Sequence, residues 1–87
     1  MEITGSVMTS AITAHTAWRV DEQEDTWRVS WLSDRVLNRN DAITALTLAE
    51  TVVGNDFSDR RGALIRTFAG ELGMSADDAV LAVEKGS

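Results

Sequence analysis

The tripeptide Trp18-Arg19-Val20 returns as Trp27-Arg28-Val29, and the acidic run Asp21-Glu22-Gln23-Glu24-Asp25 separates the two copies. Two short β-forming segments around a polar turn make a β-hairpin the constraint that any fold of this chain must meet. Side chains alternate along a strand, so one face of the first strand presents Trp18 and Val20, and one face of the second presents Trp27, Val29 and Trp31. An antiparallel register that pairs Val20 with Trp27 and Trp18 with Val29 places all five on a shared apolar face. Asp21 and Thr26 then close a four-residue loop, a common hairpin length. The opposite face (His15, Ala17, Arg19, Arg28, Ser30, Leu32) reads as mostly solvated. A lone hairpin is marginal in water, so other elements must cover the tryptophans.

Those elements are helices. Asn38 is placed to cap a helix over 38–53, with Asp41 three residues on in a capping-box position. Ala42, Ile43, Leu46, Ala49 and Val53 follow at helical spacing, and Gly54-Asn55 ends the run. A second helix over 58–72 starts near Ser58, carries Leu64, Ile65, Phe68 and Leu72 as its apolar stripe, and stops at Gly73. Gly62 and Gly70 inside it cost about 1 kcal/mol each relative to Ala, which close approach of another backbone would explain, unless Gly62 simply sits in the first turn. Ser75 caps a third helix over 75–85, with Asp77 and Asp78 favourably placed on the dipole of its first turn. Ala79, Val80 and Val83 form its stripe.

Residues 1–12 read as a loose arm or an edge strand around Ile3 to Val7, ahead of the hairpin over 13–32. The chain has 87 residues, which fits one domain over 1–87. The expected class is α+β: an N-terminal antiparallel hairpin, three-stranded if the arm pairs, packed on three short helices. The expected core sets Trp18, Val20, Trp27 and Val29 against Ile43, Leu46, Leu64, Ile65 and Phe68. At least two of the three tryptophans are expected to be buried, with Trp31 or Trp18 the more exposed.

Composition narrows function by exclusion. Eight basic residues against fourteen acidic ones give a net charge of −6 and a pI near 4.5, which disfavours nucleic-acid and anionic-membrane partners. Without cysteine there is no disulfide and no cysteine-based zinc site. Glu2 replaces the basic start of a secretory signal, and the longest uncharged stretch, Ile3 to Trp18, is too short and too rich in hydroxyls to span a bilayer. The expectation is a cytoplasmic protein. His15 is the sole histidine, and no Gly-rich phosphate loop is present, so the sequence offers no catalytic constellation. His15 reads as an exposed or cross-strand residue. Asp21 to Asp25 lack the spacing and central glycine of an EF-hand loop, so they read as a solvated turn. No enzyme, cofactor or metal is expected.

Residues 65–84 resemble a helix-turn-helix: Phe68-Ala69, Leu72-Gly73-Met74 and Ser75 match its packing residues, turn and second cap. The positions that would read DNA fall on Ser75, Ala76, Asp77, Val80, Leu81 and Glu84, none of them basic, so base recognition does not follow. Positive charge sits instead on Arg35, Arg39, Arg60, Arg61 and Arg66, a candidate partner or nucleic-acid surface if they converge. Surface ion pairs with Asp34, Asp41, Asp56 and Asp59 are the commoner fate of such arginines. The segment Trp27 to Val53, WRVSWLSDRVLNRNDAITALTLAETVV, resembles small uncharacterised proteins of actinobacteria and their phages, in which a Trp-rich strand leads through an arginine-containing loop into a capped Ala/Thr/Leu helix. That resemblance implies a phage or prophage accessory protein with no activity to carry over. The expected function is therefore non-enzymatic protein–protein binding with self-association, a homodimer formed through Ile3 and Val7 of the arm or Val80, Leu81 and Val83 of the third helix. The alternative is a nucleic-acid-binding regulator.

Overall fold

The computed structural model describes residues 2–21, 23–54 and 60–85. Strands β1 (Glu2–Ile3), β2 (Val7–Thr9), β3 (Ala17–Asp21) and β4 (Thr26–Val29) form one antiparallel sheet in the order β1-β2-β3-β4. A single 3-10 turn over Ser30–Leu32 leads towards the helices α1 (Arg39–Val53), α2 (Arg60–Glu71) and α3 (Ala76–Lys85). The class is α+β, with four strands where two or three were expected. The arm is not loose: the turn at Thr4 to Ser6 folds β1 back on β2, and Thr4 Oγ1 accepts from Val7 N at 3.0 Å. β2 then pairs with β3, Met8 opposite Ala17 and Val7 opposite Trp18.

The hairpin register departs from expectation at one residue. Asp21 pairs with Thr26 as the loop length required, but Arg19 pairs with Trp27, Trp18 with Arg28 and Ala17 with Val29. The shift between Arg19 and Asp21 makes Val20 the extra residue of a β-bulge. A slip of one residue exchanges the faces of a strand. Ala17 therefore joins Trp27 and Val29 inside, while Trp18 (37% exposed) and Val20 (51%) point away from the core. Size explains the choice: Ala17 and Met8 are fully buried against the helical layer, and an indole in place of Ala17 would hold α1 off the sheet.

The helix boundaries follow local chemistry. Asn38 Oδ1 accepts from Asp41 N at 2.7 Å, and Ser75 Oγ accepts from Asp78 N at 3.1 Å. Gly73, at φ +72, takes the left-handed conformation that ends α2. The expected start near Ser58, and with it Asn55, Asp56, Phe57 and Asp59, lies outside the described residues. Gly62 and Gly70 answer to no close backbone: a Cβ on either would meet nothing within 4 Å.

α1 packs on β3 and β4, α2 on α1, and α3 on α1, α2 and the 3-10 turn. Trp27, Val29, Leu46, Leu48, Leu72 and Val83 are among the most completely buried side chains. Trp31 is buried beneath α1, its Nε1 donating to Ala45 O at 3.0 Å. Leu32 is buried too, against the solvated face expected for it, because the 3-10 turn takes it out of strand alternation. Leu64, expected inside, is exposed, and Ile43 and Phe68 are half-buried at the core's margin.

Candidate interaction surface

Register and alternation together assign the outer face of the sheet. Val7, Trp18 and Arg28 form one cross-strand row, and Glu2 with Thr9 forms part of the next. The helices cover the other side, so this row meets solvent: Val7 is 39% exposed, close to Trp18 beside it, and Val20 widens the apolar patch at the bulge. Arg28 donates through Nη1 to Ser33 O, which draws its guanidinium towards the segment after the 3-10 turn. An exposed tryptophan flanked by valines is the arrangement most able to anchor a protein partner, because a rigid indole gives up little conformational entropy on docking.

His15 lies inside, contrary to the solvated face expected for it. The ring is 2% exposed, with Nδ1 2.8 Å from Ser30 Oγ and Nε2 2.9 Å from Val83 O. A carbonyl only accepts, so Nε2 carries hydrogen and donates to it. Nε2 thus ties the segment just before β3 to the last turn of α3, while Nδ1 ties it to the 3-10 turn. The sheet-to-helix tie is a use that no neighbour of His15 in sequence announces.

The five arginines singled out do not gather into one patch. Arg35 Nη1 donates to Leu72 O at 2.6 Å, and Arg61 donates from Nε and Nη2 to Thr51 O and Val52 O at 3.2 and 2.8 Å. Both guanidinium groups thus satisfy carbonyls at helix C-termini, where a cation also suits the dipole. Arg39 lines a cleft of about 450 Å³ with Ile3, Gly5, Arg19, Asp25 and Trp27. Arg66 lines a different cleft of about 400 Å³ between α2 and α3, with Gly62, Ile65, Ala76, Asp77 and Val80. Arg60 is exposed at the described start of α2.

The self-association candidates also divide. Ile3 and Val7 are exposed, but their strands already pair within the chain, so the arm occupies the hairpin edge it was expected to offer a partner. Val83 is fully buried and is no surface residue; Val80 is half-buried in the α2–α3 cleft, and Leu81 stands out at 55% exposure. Asp77 and Val80 of the helix-turn-helix-like pair face that same cleft, and Ser75 Oγ is spent on its cap.

Among the described residues no group of three or more histidines, aspartates or glutamates is placed to hold a metal ion, and no helix is long and apolar enough to cross a membrane. No protein family, curated protein or solved structure matches the chain.

Proposed function

We propose that this chain is a small non-enzymatic accessory protein, of the phage or prophage type, that acts by binding protein through the outer face of its sheet. One observation carries the reading: Trp18 stands on the uncovered face between Val7 and Arg28, while the other two tryptophans are buried in the core. A domain of this size gains from hiding every large apolar side chain it has, and the bulge at Val20 turns this one outward. The likeness of Trp27 to Val53 to small phage proteins supports the setting. So does the use of seven arginines against one lysine, as in a GC-rich genome. The dispersal of the arginines supports protein over nucleic acid as the partner.

The test compares the full chain with Trp18→Ser. The variant is expected to stay folded at room temperature and to melt about 5–15 °C below the parent, the cost of about 1–2 kcal/mol for truncating a partly exposed indole. It is expected to lose the proteins that the immobilised parent retains from host lysate. Retention of the same proteins by both would refute the reading.

A further inference from the structure

Resting on the reading that the outer sheet face binds protein, we infer that its partner is a second copy of this chain, stacked sheet to sheet about a two-fold axis that runs parallel to the strands.

The charges of the face point to this occupant. The whole chain is strongly acidic, so two copies repel over most of their surface. The middle of the outer face is an exception: Val7 and Trp18 form an apolar strip with Glu2 and Arg28 at its two sides, and the carboxylate of Asp21 lies a row beyond, at the hairpin end. The charges of Glu2 and Arg28 sit on opposite edge strands, β1 and β4, with the apolar pair Val7 and Trp18 on the two strands between.

A closed dimer needs an isologous interface, and two aligned stackings of this sheet satisfy that. If the axis lies across the strands, every strand covers its own copy. Glu2 then lies over the partner's β1 and Arg28 over the partner's β4, so each charge comes nearer its like and neither meets its opposite. If the axis lies along the strands, the strand order reverses between the layers. β1 then covers the partner's β4, and β2 covers the partner's β3. Val7 now rests on the partner's Trp18, and Glu2 comes to the side of the partner's Arg28, each contact occurring twice. Glu2 lies one row along from Val7, about 7 Å, a gap that a glutamate and an arginine side chain together span at the usual sheet separation of about 10 Å. The face is thus self-complementary in only one of the two arrangements. The product is a sandwich of two four-stranded sheets with helices on both outer surfaces.

Sedimentation equilibrium across a wide concentration range tests this on the full chain. The parent is expected to show a dimer mass that falls to monomer on dilution, and Trp18→Ser to stay monomeric with an unchanged far-UV spectrum. Glu2→Arg and Arg28→Glu each place like charges together at both symmetric contacts, and each is expected to weaken the dimer by roughly fivefold or more. Mixing the two variants restores an opposite pair at both contacts, so the mixture is expected to associate about as tightly as the parent. Should Arg28→Glu disturb the fold through its lost bond to Ser33 O, Glu2→Arg alone still reports, since Glu2 is exposed on an edge strand. A parent that is monomeric at every concentration overturns the proposal. If such a monomer still binds other protein in a Trp18-dependent way, the reading of the face survives without it. A dimer untouched by Trp18→Ser also overturns the proposal, and the reading of the face then rests on the lysate comparison alone.

Discussion

Replacing Trp27 and Trp18 separately with alanine tests the bulge at Val20, because the bulged register puts the two indoles on opposite faces and the unbulged one puts both inside. Trp27 is 2% exposed and Trp18 37% exposed. On a tryptophan surface of about 250 Å², that difference is about 90 Å² of extra burial for Trp27, or about 2 kcal/mol at 25 cal/mol per Å². Only Trp27→Ala also opens a cavity in packed surroundings, which brings its expected total cost to about 3–5 kcal/mol. Its Nε1 bond to Asp25 Oδ1 at 3.1 Å is lost as well. Trp18→Ala is expected to cost about 1–2 kcal/mol. A chain of this length has roughly 4–13 kcal/mol of stability in all, so Trp27→Ala should lower the melting temperature by roughly 15–30 °C. Circular dichroism at 222 nm is the assay, run at a concentration dilute enough that contacts between copies contribute nothing. Equal losses, or a larger one for Trp18→Ala, would restore the unbulged register and refute the assignment of faces.

Three further substitutions probe other contacts. His15→Ala should cost about 2–4 kcal/mol by emptying a buried site and removing two hydrogen bonds, and hydrogen exchange should show the last turn of α3 losing protection first. Gly62→Ala and Gly70→Ala should each stabilise by about 0.5–1 kcal/mol in urea titrations because their sites are open, whereas Gly73→Ala should destabilise by about 1 kcal/mol because its φ is positive. Thr26→Val should raise the urea midpoint by an amount equivalent to about 1 kcal/mol, since Thr26 Oγ1 is buried without a hydrogen-bond partner and the isosteric methyl needs none.

What could be read in the sequence was what depends on near neighbours. Asn38, Gly73 and Ser75 mark helix ends because a cap involves residues only a few positions apart, and all three act as their types predict. The loop from Asp21 to Thr26 was legible for the same reason. The faces of β3 were not. Alternation alone cannot detect a bulge at a valine, and the decision between Ala17 and Trp18 inside was taken by α1, more than twenty residues downstream. β1 and β2 are too short for periodicity to reveal, and their pairing depends on a turn whose stabilising bonds come from Thr4. Of the interaction surface, Val7 was visible as an exposed β-former. Trp18 was visible only as one of the tryptophans expected to be less buried, because its exposure is a consequence of the bulge. Arg35 and Arg61 read only as surface charge, gathered into a patch or ion-paired, because the carbonyls they serve belong to helix ends brought near by tertiary packing.

The bond from His15 to Val83 joins points 68 residues apart in the chain. Closing a flexible loop of that length costs about 4 kcal/mol of chain entropy, far more than the β3–β4 or α2–α3 pairings demand. The contact is therefore expected to form late in folding, after the sheet and α1 have come together. Substitutions where α3 meets His15 should accelerate unfolding and leave the refolding rate nearly unchanged.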